Sequence, residues 1–154
     1  MIQRIQTLYL LLAAVCVGVT LFLPLAHYTD GTAEYTMKAY MLSDGDYFAI
    51  RPMLYLGILL SVSALLPFVT IFLFRNRMLQ IRLCVVEFVL LVGSLLMCGI
   101  YCYLTYKAAG EFASGEAYIT VWNILPLAAL VFVALAVRAI FRDELLIRSL
   151  NRIR

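Results

Sequence analysis

A chain of 154 residues that is 65% apolar and only 14% charged lacks the polar side chains that wet a soluble globule, where about 25% charged residues is usual. The same figures exclude a disordered chain and a small disulfide scaffold. The net charge of +3 therefore has to be read by where its charges sit in a membrane protein.

A bilayer core about 30 Å thick needs ~20 consecutive apolar residues in a helix. Four stretches meet this, over about residues 5–26, 52–74, 81–106 and 118–141. Barrel strands would read instead as alternating segments of about 10 residues, which the sequence lacks. In hydrocarbon each backbone amide must be satisfied within its own segment. The expected fold is an all-α membrane protein, a four-helix transmembrane bundle forming a single domain over 1–154.

The first stretch exceeds the 7–15 apolar residues of a signal peptide, and Pro24 spoils the cleavage pattern before Ala26; it reads as a retained anchor. The 27–51 loop follows. In it Tyr35, Met37, Ala39 and Met41 alternate with Glu34, Thr36, Lys38 and Tyr40, between turn signals Asp30-Gly31 and Asp44-Gly45. That spacing predicts a short strand or a hairpin across the outer mouth of the bundle. Pro52 is expected in the first turn of the second helix. Pro67 and Pro126 fall within the second and fourth stretches, as kinks or, for Pro126, a late helix start.

The fourth helix should not stop at the membrane, because 127–154 contains neither Gly nor Pro. In the tail, 142–154, Leu146, Leu150 and Ile153 share a face with Ile147, opposite Arg148, Asn151, Arg152 and Arg154. Glu144 and Arg148 stand four apart, as a helical ion pair requires. A basic amphipathic segment of this kind lies on an anionic membrane surface or packs on a partner.

Orientation follows from the basic residues. Arg4, Arg75, Arg77, Arg82, Arg138, Arg142, Arg148, Arg152 and Arg154 gather at the N-terminus, the 2–3 turn and the C-terminus, against Lys38, Arg51 and Lys107 in the opposite loops. Under the positive-inside rule both termini face the cytoplasm. With no soluble domain to present them, these arginines are not a nucleic-acid footprint. Nine of the ten tyrosines fall in or beside the two outer loops, as an interfacial belt or as an outer surface for a partner.

Glu87 is the sharpest chemical feature. It stands about six residues into the third stretch, ~9 Å deep at 1.5 Å per residue. An acid at that depth usually faces the bundle interior with a partner, and Arg138 is the expected one. A relay would need further ionisable groups along the spans, and their middles hold none. Cys16, Cys84, Cys98 and Cys102 all lie within spans rather than in the outer loops, which argues against disulfides. Cys98 and Cys102 share a helical face, yet with the lone His27 they make a weak metal set. With Ser94 they read as small residues for close helix packing. No phosphate-cradling loop, zinc-protease motif or nucleophile elbow occurs. No catalytic residue, cofactor or metal is expected, and the chain reads as a non-enzyme.

Distinctive runs carry a resemblance: Met1 to Leu11, then Phe74-Arg75-Asn76-Arg77 with Leu79 to Cys84, then Leu125 to Ala129 with Arg138-Ala139-Ile140 and Asp143-Glu144. Together they resemble an uncharacterised family of small four-span inner-membrane proteins of Bacteroidota, a domain of unknown function. The resemblance implies a bacterial cytoplasmic membrane and cytoplasmic termini. It carries no reaction, ligand or site residue. The leading expectation is a non-catalytic accessory or scaffold subunit of an inner-membrane assembly. It would contact other subunits, or further copies of itself, through Tyr35, Tyr40 and Tyr47 outside and Arg142, Arg148 and Arg152 inside. The alternative is a small oligomeric transporter, channel or lipid-binding protein with Glu87 as its polar centre.

Overall fold

Four of the chain's helices are long and apolar enough to cross a membrane, which makes it a multi-pass membrane protein. A computed structural model describes residues 3–29, 34–44, 48–73, 76–110 and 116–151. Helix α1 spans Gln3–Phe22, α2 Leu54–Phe72, α3 Arg77–Gly110 and α4 Ile124–Asn151. The expected four-helix bundle is the observed architecture, although the helix limits differ from the apolar stretches for local reasons. α1 stops at Phe22 because the residue before Pro24 is pushed out of the helical region. α3 is 34 residues long, ~51 Å, and so outruns the apolar run at both ends. α4 starts late, and Pro126 is its third residue, where a missing N–H leaves no intrahelical bond unmade. Pro67 lies inside α2.

The helices run up and down, and α1–α2, α2–α3, α3–α4 and α4–α1 are the packed pairs. α1 and α3 therefore stand diagonally opposite. Close approach depends on small residues facing inward: Ala13, Ala14, Ser63, Ala64, Ser94, Ala129 and Ala136 are all buried. Leu8, Val15, Leu65, Val89, Leu96 and Val131 instead point outward. In lipid an outward apolar face carries no desolvation cost, so close packing of small side chains holds such helices together.

One end of the bundle carries the N-terminus of α1, the α2–α3 turn and the C-terminus of α4; it is the arginine end. The other is closed by β-structure. Five strands, β1 Ala26–Thr29, β2 Glu34–Met37, β3 Met41–Asp44, β4 Phe48–Pro52 and β5 Glu116–Ile119, form an antiparallel sheet in the order β4-β3-β2-β1-β5. The sheet is larger than the expected strand or hairpin. It takes in nearly the whole 27–51 loop and recruits β5 from the second loop. The alternating run 34–41 is split by the β2–β3 turn. Its flanking turn residues Asp30-Gly31 and Gly45 lie outside the described residues. Pro52 ends β4, on an edge of the sheet where no N–H is needed, so it does not open α2 as expected.

Register explains the burial. Ala26 pairs Met37, and Met37 pairs Leu42. These three form one inward row, all buried. On the next row Thr36 Oγ1 and Ser43 Oγ are hydrogen-bonded at 2.9 Å. The sheet is also clasped to the bundle by Tyr40. Its hydroxyl is hydrogen-bonded to Ser61 of α2, and its ring lies where a Cβ on Gly57 would stand. Glycine is thus required at 57 by the tyrosine above it. Gly57→Ala should displace the ring and cost about 1–3 kcal/mol, the usual range for overpacking. Tyr40→Ala in the same chain should recover part of that loss. Thermal unfolding of wild type and the two variants in detergent measures both effects.

Candidate functional site

Two places hold polar chemistry against apolar surroundings: the interior around Glu87, and a groove under the sheet. Because α3 begins at Arg77, Glu87 lies ten residues into it, ~15 Å from that end, while remaining about six residues into the apolar run. Its side chain is fully buried, and neither carboxyl oxygen has a hydrogen-bond partner among the described residues. The expected pair with Arg138 is not formed. Arg138 is exposed on α4, because its position turns it to the outside of the bundle, where a long cationic side chain can reach an interface. Ser63 Oγ is likewise buried without a partner.

Outside the helices, His27 Nδ1 and Thr120 Oγ1 are also buried without a partner among the described residues, whereas several buried polar side chains of the helices are bonded. Towards the arginine end, Gln80 Nε2 donates to Thr70 O at 3.0 Å and Gln6 Nε2 donates to Ala139 O at 3.3 Å. Towards the sheet end, Ser94 and Thr20 return their hydroxyls to their own helices, at Leu91 O and Cys16 O. Arg77 and Asp143 form an ion pair at 2.5 Å that ties the start of α3 to α4. The pairing itself was not legible in the sequence, since an i to i+66 contact has no local signature.

The groove lies between the last turns of α3 and the start of α4, with β1 and β5 above it. It encloses about 570 Å³ and is lined mainly by apolar atoms, with Leu95, Gly99, Tyr103, Tyr106, Ile119 and Leu127 among its walls. The late start of α4 opens it: a helix beginning at 118 would occupy this space. Its inner wall is polar at three points. Tyr28 OH donates to Cys102 O at 3.3 Å, and Cys98 Sγ donates to Asn123 Oδ1 at 3.5 Å. Asn123 Nδ2 in turn donates to Leu25 O at 2.8 Å. Burial first, and then its neighbour Cys102, push the Tyr28 phenol above its ordinary value, so it stays a neutral donor. Cys98 and Cys102 do share the α3 face expected of them, yet among the described residues no three His, Cys, Asp or Glu side chains converge as a metal set would. His27 Nδ1 is 4.0 Å from Glu34, too far for a hydrogen bond.

The sequence-chosen contact residues are placed unevenly. Tyr35 is half-buried against the core and Tyr40 holds α2, so both serve the cap itself. Arg142 is exposed. Tyr47, Arg152 and the Arg148 side chain lie outside the described residues. Asn123 carried no signal in the sequence, because its role depends on Leu25 and Cys98 arriving from distant elements. Asn123→Ala should cost about 1–2 kcal/mol, the usual penalty for removing one buried partner. Cys98→Ala should cost less, the thiol being a weak donor. Chemical or thermal unfolding of both variants ranks them.

No curated protein matches the chain. A family model described as Domain of unknown function (DUF4293) matches residues 2–153, essentially the whole bundle with its cap and the α4 extension. The chain therefore belongs to the DUF4293 family.

Proposed function

We propose that the protein is a non-catalytic accessory or scaffold subunit of a bacterial inner-membrane assembly, with both termini in the cytoplasm. The observation that carries this reading is the reach of α4. Beyond the Arg77–Asp143 ion pair it continues through Glu144–Asn151, ~12 Å past the bundle at 1.5 Å per residue. Leu145 is exposed there and Arg142 is exposed just before the pair, which supports a helix end that meets a partner or the inner leaflet. The arginines gathered at this end support its cytoplasmic placement. Contacts at the sheet end fall to exposed side chains such as Tyr55 and Trp122 more than to Tyr35 and Tyr40. Gentle solubilisation of tagged protein from native membranes should recover a stoichiometric companion. A chain truncated after Asp143 should fold and lose that companion. A wild-type protein recovered without any companion would count against the reading.

A second reading is favoured by the groove: a small lipid-binding membrane protein. Its walls are apolar, and Tyr103, Tyr106 and Tyr118 along it are more than half exposed, as suits side chains at the headgroup level. Gly99 offers a way to fill it, since a Cβ there meets nothing within 4 Å. Gly99→Leu should fold at least as well as wild type, glycine being about 0.8–1.0 kcal/mol poorer than alanine in a helix. It should also lower the lipid that co-purifies, measured by native mass spectrometry. Equal lipid on both chains would rule the groove out as its site.

A further inference from the structure

The unpartnered groups at the centre of the bundle can be placed relative to one another. Gln80 of α3 is bonded to Thr70 of α2, which fixes the antiparallel register of that pair. Seven residues on from Gln80 is Glu87, and seven back from Thr70 is Ser63. Seven residues are about two turns, so each returns to the same helix face ~10 Å further in. Glu87 and Ser63 thus stand at one level of the α2–α3 contact, both buried and, among the described residues, hydrogen-bonded neither to each other nor to any other group. A third polar group joins them. Pro67 lies inside α2 four residues after Ser63, and having no N–H it cannot take up the Ser63 carbonyl as a helix ordinarily would.

We propose that Glu87 and Ser63 form a proton-binding site in the membrane interior, reached from the arginine end. The bound species is H⁺ taken from water. It forms the O–H bond of a neutral Glu87 carboxylic acid; a rotation of the two side chains from their present unbonded positions then lets the acid donate to the Ser63 carbonyl freed by Pro67 and the Ser63 hydroxyl donate to the other carboxyl oxygen.

Among the described residues no opposite charge faces Glu87 to stabilise an anion. α2 has no Asp, Glu, Lys, Arg or His along its length. On α4 the only basic residue near this level is Arg138, which is exposed. α1 brings Tyr9 and Cys16, and α3 itself brings Cys84 one turn away and the exposed Arg82. Arg77 is held by Asp143. An anion so placed has lost its water and gained nothing in exchange, whereas the acid satisfies both its own donor and an orphaned carbonyl.

The side of entry follows from the distribution of polar groups. Between Glu87 and the arginine end stand Thr70, Gln80 and Gln6, all buried. One turn the other way the fully buried Leu60 and Leu91 close the interior. The site is a one-sided terminus: it binds a proton from one face and passes none across.

The experiment uses the full chain in lipid nanodiscs. Infrared difference spectra between wild type and Glu87→Gln at pH 7 should show a carboxylic-acid C=O band belonging to Glu87, shifted by transfer to D2O. Ser63→Ala and Pro67→Ala, the latter returning an N–H to the Ser63 carbonyl, should each move that band towards a less hydrogen-bonded position. A carboxyl group neutral when folded and ionised when unfolded takes up one proton on folding. The folding equilibrium of wild type should therefore weaken about tenfold per pH unit above the unfolded carboxylate range, relative to Glu87→Gln. A carboxylate band in place of the acid band would overturn the proposal. So would parallel pH profiles for the two chains, or sodium or potassium ions stabilising wild type at pH 7 without stabilising Glu87→Gln, which would make the site a cation site. A band moved by neither Ser63→Ala nor Pro67→Ala would overturn the assignment to Ser63.

Discussion

Everything at the sheet end is organised by one residue's backbone, that of Leu25. Where α1 ends, its chain must leave the helix without abandoning buried amides, because an unsatisfied group in or near hydrocarbon costs several kcal/mol. Leu25 N donates to Met37 O at 2.7 Å, and Leu25 O accepts both Thr120 N and Asn123 Nδ2. Those three bonds join the exit of α1 to β2, to the end of β5 and to the start of α4. The sheet gives the backbone that connects the helix ends on this side its hydrogen-bond partners. β5 pairs with β1 for the same reason, and in doing so it delays α4 and leaves the groove beside α3.

The bundle below is asymmetric along its axis. Its half towards the arginine end holds long polar side chains that reach across to other helices, Gln6 to α4 and Gln80 to α2. Its half towards the sheet holds hydroxyls that bond back to their own helix, Thr20 and Ser94. Cross-helix bonds fix register between neighbours, whereas hydroxyls returned to their own helix act only as small spacers. Glu87 and Ser63 sit at the boundary, and they are the side chains of the helix interior whose buried oxygens stay unbonded among the described residues.

How much of this the sequence disclosed depends on the length of each signal. Apolar runs of ~20 residues are unmistakable, so the four helices and the continuation of α4 were legible. Strands of four or five residues were not, because two alternations such as Ala26 to Thr29 cannot be told from chance. Only the run 34–41 reached a detectable length, and it did so by adding β2 to β3 across a turn. The acid at 87 was visible, but its partner was guessed from depth alone. Helical depth says nothing of azimuth, and Arg138 at nearly matching depth turns outward. Ser63 and Pro67 were each visible as residues. Their meeting with Glu87 needed the Gln80–Thr70 register, which no spacing within one helix encodes.

The groove and the interior acid are separated along α3, since Glu87 precedes Leu95, the first α3 residue of the groove wall, by eight positions. Leu91 stands between them, fully buried. An occupant of the groove therefore touches neither Glu87 nor Ser63, and any influence of one on the other has to pass through α3 as a rigid body. A helix of 34 residues packed on both α2 and α4 is suited to that. The Glu87 level and the groove wall are thus parts of one helix, and the Arg77–Asp143 pair ties the foot of that helix to α4. The three features the function could rest on, an inward acid, a lateral groove and a basic extension, are thus mounted on two helices clamped together at the arginine end. Towards the sheet end the packing of α3 on α4 is joined by the hydrogen bond from Cys98 to Asn123, the residue just before α4.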